Sequence, residues 1–568
     1  LQSHSEEHRR GRLARPSQSI NSSLCDMRPG IGEILIPFAF FCYVLFQWLP
    51  AILATTIIVG VIGAAVYYQH YEKQHWKRLG VPGPPAHFLF GNTLEMTKGF
   101  HRMDAEWQEK YGRIVGNHFI GRPDLLINDL DLVKEVMVKE FPHFMDRVSI
   151  MPVDKNNDFS LFENALTVKE GEEWKLIRNQ ITPAFTTGKI KKMVPTFNDS
   201  SKTFCDVIAE LSESGEAIAL KDRTSRFTLD VISKTSFGLD ANLQRNLDDP
   251  MLKHAQTIFN LRGFEPAFAL LAFFPNLCRV YQRVTKNHLF RNDTHTFFKN
   301  LLTDLLERRK ADKESFGNVD FFQLLLNSME EKSTEETSTE DEDIVHEEVK
   351  KTKNKRGLKP IEVLSQAFIF LLAGYETTAT ILQLTLYMLA NYPEIQTKVR
   401  DEVNSIVDPQ SDDITYEDIA KMHYVEQVVC ETMRLYPPTA RTNRICTEDT
   451  YLRDMKVEKG CSVSIPIWLI HHDEENYPNH MEFDPDRFSP EEKARRDPLA
   501  FLPFGYGPRN CIGMRFAQFE LRMILAHVVR KFEISLPEGA PQHPLEVDTQ
   551  ALVKPVEVLK AIFKKIDR

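Results

Sequence analysis

From Ile34 to Tyr71 the chain runs for 38 residues without an aspartate, glutamate, lysine or arginine. So long a charge-free stretch is hard to cover inside a water-soluble fold, and about 20 apolar residues suffice to cross a bilayer. The run holds one span with residues to spare and is short for two. Gln47, Trp48 and Pro50 interrupt its middle, so either half can serve. It is too long for the apolar core of a cleaved signal, and no small-x-small site follows it. Residues 34–71 are therefore read as a membrane anchor. Lys73, Lys77 and Arg78 come directly after, which puts the rest of the chain on the cytoplasmic side. Residues 72–85 form a basic, proline-rich hinge, since "VPGPP" (Val81 to Pro85) cannot continue a helix and reads as a stiff strut. Residues 1–33 are polar, and Arg9, Arg10, Arg12 and Arg15 oppose that orientation unless the natural start is Met27.

The remaining residues, 86–568, read as one large folded domain, since the whole chain, 42% hydrophobic and 26% charged, has an ordinary globular composition. With 70 Lys and Arg against 80 Asp and Glu the net charge is −10, so no nucleic acid is expected as a partner. No two of the 8 cysteines lie close enough for a C-x-x-C zinc or redox motif, and their sparseness fits a reducing compartment. From about 330 to 356 an acidic block, "EEKSTEETSTEDED", runs into a basic one, "KKTKNKR", which predicts a mobile charged loop. After it Pro360 opens a helix running to about Leu389, stopped before Pro393 and apolar nearly all round, hence buried. "TYED" at Thr415 to Asp418 is a capping box, read as opening a helix whose later turns are "YVEQVVCETMRL". Short extended pieces such as "CSVSIPIW" complete a mainly α fold with minor β.

Three motifs carry chemistry. "FGYGPRNCIG", Phe504 to Gly513, wraps one cysteine in glycines, a setting that neither a disulfide nor a zinc site requires. Glu431 and Arg434 share a helix face among Val428, Val429 and Met433, so they form a partly buried pair that needs a further partner; Arg487 of "FDPDRF" is the candidate. The third is "AGYETT" within the long apolar helix.

Together these resemble a cytochrome P450 from about Pro82 to the C-terminus, with an anchor like that of microsomal members and motifs most similar to the animal clan oxidising steroids and xenobiotics. The resemblance implies the cytochrome P450 fold and haem b, with Cys511 as axial thiolate ligand of the iron. It implies propionate contacts from Arg509, from Trp174 and Arg178 of "WKLIR", and from Arg444 of "PPTARTNR", with Phe504 packed beneath the ring. Gly507 and Gly513 are expected to let backbone approach sulfur and macrocycle. Amides at the start of "MRFAQFELRMIL" are expected to lower the thiol pKa. Glu431, Arg434 and Arg487 match the family's structural triad. Thr377, with Glu376 beside it, matches the residues that deliver protons during oxygen activation, and Ala373-Gly374 is expected to widen the long helix. His471-His472 beside Asp473 suggest a metal site, but they fall in a loop that has no catalytic duty in the family.

The implied function is a haem-thiolate monooxygenase of the endoplasmic reticulum membrane, its catalytic domain facing the cytoplasm, acting on lipophilic xenobiotic, steroid or fatty-acid-like molecules. The chain has no G-x-G-x-x-G fingerprint, so electrons are expected from a separate NADPH–cytochrome P450 reductase, with cytochrome b5 as a second donor. The alternatives are an isomerase or dehydratase on the same fold, and a non-catalytic haem carrier or sensor; the Thr377–Glu376 pair favours oxygen activation. "FEPAFALLAFF", Phe264 to Phe274, reads equally as channel lining or helical core, and the loop from Arg147 to Leu166 is expected to cap the pocket.

Overall fold

The computed structural model describes residues 31–88, 90–119, 121–148, 159–259, 274–287, 291–311, 320–329 and 356–566. The charged loop up to residue 355, the first 30 residues, the stretch 264–273 and positions 149–158 of the capping loop lie outside the described residues. The chain packs as two units, 1–58 with 264–289 and 59–263 with 290–568.

In the first unit lie helix α1 (Ile31–Trp48) and an 11-residue helix, Pro275–Thr285. The Glu33 carboxylate accepts from the Asn276 side chain and the Leu277 amide, both at 2.7 Å, so a negative charge sits at the positive end of that helix. Helix α2 (Ala51–Lys73) follows α1 after a break at Leu49–Pro50, where proline withholds an amide. The 38-residue run is thus two helices. The second, at 23 residues, is long and apolar enough to cross a membrane; the apolar part of the first, Glu33–Trp48, is shorter.

In the second unit the hinge is clamped rather than free. Trp76 Nε1 donates to the Asn117 carbonyl at 2.8 Å and the Gly116 amide to the Pro82 carbonyl at 2.8 Å. A Cβ on Gly83 would lie 1.8 Å from the Gly116 oxygen, so glycine is what lets the strut lie flat on the sheet. That sheet contains β1 (Ile114–Phe119), β2 (Arg122–Ile127), β3 (Thr442–Ile445) and β4 (Ser462–Ile465) in the order β1-β2-β4-β3, with β2 and β4 parallel and the other pairs antiparallel.

Helices make up most of this unit. Those that build the site are α3 (Gly171–Ile181), α4 (Thr187–Ser212), α5 (Leu220–Phe237), α6 (Pro360–Asn391), α7 (His423–Leu435) and α8 (Met514–Lys531). As the sequence predicts, Pro360 opens α6 and the helix stops ahead of Pro393. Its apolar circumference is buried by α5 on one side and by α7 and α8 on others. At Ala373-Gly374, where widening is expected, α6 runs on as α-helix without a break. Gly374 serves close packing instead: a Cβ there would lie 3.1 Å from Ile232 Cδ1 of α5. The Thr415 capping box forms, but its helix ends at Lys421 and α7 starts afresh. The reason is non-local: Glu402 accepts from the Tyr424 and Val425 amides at 2.7 and 2.9 Å and caps α7 from another helix.

Two buried histidines tie elements together as neutral groups. His471 Nε2 accepts from the Leu502 amide at 2.7 Å, which leaves Nδ1 to donate to the Arg434 carbonyl at 3.2 Å. His527 Nε2 donates to Asn198 Oδ1 at 2.9 Å. Burial, and then nearby cations, push both down to about 3. His471 is therefore structural, and His472, stacked on Trp468 with Nδ1 donating to that residue's carbonyl at 2.8 Å, is too. Between pH 6.5 and 3 the unfolded chain binds protons at these two imidazoles and the folded one does not. Stability should therefore fall with acidification by about 1.4 kcal/mol per pH unit for each. Thermal midpoints measured from pH 7 to 5 should drop steadily below 6.5; a flat profile would contradict this.

Candidate active site

The Cys511 loop is turned by its own backbone. The Cys511 amide donates to the Phe504 carbonyl at 2.8 Å and the Asn510 amide to the Gly507 carbonyl at 3.0 Å. Gly507 sits at φ +71°, and a Cβ there would lie 2.2 Å from the Met137 carbonyl oxygen. Its glycine is thus demanded by protein on one side, not by room for a macrocycle. Gly513 differs: nothing lies within 4 Å of an added Cβ, so open space faces it. Cys511 alone among the described cysteines is exposed, although protein surrounds it closely enough for burial to raise its pKa. Its sulfur therefore faces an internal hollow. The Gly513 amide, Arg178 and Arg147 pull the pKa back down, so the expected help from the helix start is present but outweighed by burial. Cys461 makes the contrast, packed against His75 Nε2 at 3.8 Å with its thiol pushed up to about 12 by burial.

Four arginines converge beside this loop. Arg178, from α3, donates to the Asn510 carbonyl at 3.1 Å and its side-chain oxygen at 2.9 Å. Arg509 donates to the Met145 and Lys169 carbonyls, both at 2.6 Å, and lies 4.8 Å from the Trp174 ring centre. Arg147 donates to the Arg509 carbonyl at 3.0 Å, while Arg444, fully buried on β3, donates to the neighbouring Asn443 carbonyl at 2.8 Å. The Nε atoms of Arg147 and Arg444 are buried and meet no acceptor. Burial, reinforced by mutual repulsion, pulls Arg509 down to about 9 and Arg178 to about 10, and Arg444 well below its usual value. Asp146, 3.6 Å from Arg509, and Glu170 counter only part of this charge. A buried cation cluster short of anions is a place for an anion. Sequence reading singled out Arg178, Arg444 and Arg509 but not Arg147, which has no local motif and joins the cluster only in three dimensions.

On α6, Thr377 donates to the Ala373 carbonyl at 2.6 Å. Ala373 is exposed and Thr377 half-buried, while Tyr375, Glu376 and Thr378 around them are buried, so this stripe of the helix borders open space. Glu376 is not turned to the threonine. Its carboxylate is held by Lys221 of α5 at 3.0 Å and Lys554 at 3.2 Å, and Lys221 also donates to Thr380 at 2.9 Å. Adjacent helical residues point about 100° apart, so the expected acid–alcohol pair is not assembled through a hydrogen bond.

Glu431, Arg434 and Arg487 come together in the structure. Glu431 and Arg434 have no solvent exposure and meet through two bonds of 2.6 and 2.8 Å, with Arg487 3.5 Å from Glu431. Arg434 also donates to the His471 and Glu482 carbonyls at 2.9 and 3.2 Å, which ties α7 to the segment leading to the cysteine loop.

The sequence model of the family described as Cytochrome P450 matches residues 81–561. The chain belongs to the cytochrome P450 family. It is 33% identical over 522 residues to cytochrome P450 3A5 of Homo sapiens, covering 91% of this chain and 98% of that protein. To cytochrome P450 3A41 of Mus musculus it is 33% identical over 519 residues, 90% and 97% of the two chains, and to cytochrome P450 3A9 of Rattus norvegicus 33% over 523 residues, 92% and 98%. Cytochromes P450 are monooxygenases that bind haem b through a cysteine thiolate. The residues of this cytochrome P450 fit that cofactor. The buried cluster has fewer anions than cations where haem b brings two propionates, and the exposed cysteine opens onto space where Gly513 presents no side chain.

Proposed function

We propose that Cys511 would hold the haem iron through its thiolate, that Arg147, Arg178, Arg444 and Arg509 with Trp174 would neutralise and position the propionates, and that Phe504, half-buried against the core, would pack against the macrocycle. The observation that carries this reading is the four-arginine cluster beside Cys511, the one exposed cysteine among the described residues. When bound, haem supplies oxygen activation, in the balance RH + O2 + NADPH + H+ → ROH + NADP+ + H2O. The chain's residues do the rest. The arginines fix orientation, the Glu431–Arg434–Arg487 triad holds the loop's support in place, and the Ala373–Thr377 stripe of α6 forms a wall of the reaction space.

Thr377 keeps a hydroxyl proton there, parked on the Ala373 carbonyl at 2.6 Å and free to re-aim by side-chain rotation. Thr377→Ala should lower product formed per NADPH consumed by about a hundredfold while NADPH use continues, the low end of what a positioned proton donor contributes. An unchanged ratio would remove Thr377 from the mechanism. Glu376, already held between two lysines, acts at most after those ion pairs open.

Substrates in this reading are lipophilic small molecules of xenobiotic, steroid or fatty-acid type. Helix α2 anchors the protein in the endoplasmic reticulum membrane with the catalytic domain in the cytoplasm, and electrons come from NADPH–cytochrome P450 reductase, with cytochrome b5 assisting. Reconstitution with reductase and a steroid and xenobiotic panel under isotopically labelled dioxygen tests this. One labelled oxygen per product supports it. Turnover without NADPH would point to the isomerase or dehydratase alternative, and no turnover with any substrate to a haem carrier.

A further inference from the structure

The residues that follow the apolar run are arranged, not merely basic. The last turns of α2 expose Tyr67, Tyr68 and Tyr71, after which the chain turns at Gln74 into the short helix His75–Arg78. Arg78 folds back over Tyr71, its guanidinium carbon 3.5 Å from the ring centre, and donates to the Tyr71 carbonyl. The result is a cleft of about 350 Å³ lined by Tyr67, His70, Tyr71, Gln74, Lys77 and Arg78, with two permanent cations and no carboxylate in its wall. It is mounted on the sheet: Trp76 donates to Asn117, and His118 Nε2 meets the Glu72 carbonyl at 3.0 Å.

We infer that this cleft binds the phosphate headgroup of an anionic phospholipid in the leaflet that α2 enters. The inference rests on the reading of α2 as a membrane span. A 23-residue helix is roughly 34 Å long, enough to cross the hydrocarbon and leave its terminal tyrosines at headgroup depth. A guanidinium fork, an ammonium and phenolic hydroxyls supply the donors that a phosphodiester accepts. The excess positive charge disfavours a zwitterionic headgroup, whose own cation would have to share the cleft. Because Trp76 and the proline strut lie against β1, a headgroup held here also fixes that sheet at the membrane surface.

The test uses full-length, haem-loaded protein in phosphatidylcholine nanodiscs doped with spin-labelled phosphatidylserine or spin-labelled phosphatidylcholine. The wild type should prefer the serine lipid by about fivefold for each cation in the cleft. Lys77→Gln/Arg78→Gln should bring that preference close to one, and Lys564→Gln/Lys565→Gln, the same charge change at an exposed distant strand, should keep it. An undiminished preference in the cleft variant overturns the headgroup site. Displacement of the lipid signal by millimolar inorganic phosphate would show a soluble ligand and overturn the commitment to lipid. Wild type that inserts without preference sinks this inference alone; wild type that does not insert sinks the membrane-anchor reading with it.

Discussion

Arg434→Leu should cost about 3–5 kcal/mol, because it strands a carboxylate in a place that water does not reach. Glu431 has no exposure, and without Arg434 it keeps only the Asp484 amide at 3.0 Å and Arg487 at 3.5 Å. Burial already pushes the Glu431 pKa up despite the pair, so the unpaired acid would protonate or drag the loop open. A domain stable by about 5–15 kcal/mol loses about a fifth of its margin or more. Haem-containing yield and thermal midpoint should both collapse. Glu431→Leu/Arg434→Leu should do less harm than the single change, since it removes both charges. The half-exposed Lys98–Glu106 pair, at 2.7 Å, is as short, yet Glu106→Gln should change nothing measurable because water screens it. A single Arg434→Leu variant with the parent's midpoint would contradict the triad's structural role.

Gly507→Ala should separate folding from haem binding. An alanine at φ +71° costs about 1–2 kcal/mol in backbone conformation, which the fold can bear. The larger effect is geometric. Its methyl would lie 2.2 Å from a backbone carbonyl that cannot swing aside, so the loop carrying Cys511 must move by an ångström or more. Displacement on that scale typically costs about a hundredfold at a reacting centre. Helical content should stay near normal while the haem-to-protein ratio falls by more than about tenfold. Gly513→Ala, with nothing within 4 Å and an ordinary φ of −85°, should leave the haem-free fold untouched and alter only haem loading. Full loading of Gly507→Ala would show that the loop's position does not govern the site.

The parts legible in the sequence were those fixed by neighbours in the chain. Helix α6 is bounded by Pro360 and Pro393 and buried because it is apolar all round, and the Glu431–Arg434 spacing dictates a shared face. What escaped depends on partners on other elements, from about twenty to more than a hundred residues away in the chain. Glu402 caps α7, which splits what reads as one helix from Thr415 onward. Lys221 and Lys554 take the Glu376 carboxylate that chain proximity assigns to Thr377. The thiol misled for a related reason: a helix start favours the thiolate, but the sequence does not reveal how deeply the sulfur is surrounded, and burial is the larger effect.

Ligation of the haem iron by Cys511 is the central claim. The most direct measurement is the difference spectrum of the reduced, carbon-monoxide-bound holoprotein beside Cys511→Ala. A band at about 450 nm in the parent, absent from the variant, is the predicted result. Haem-loaded, folded parent without that band, or a variant that keeps it, would contradict Cys511 as the axial thiolate, and the assignment of this site would fall.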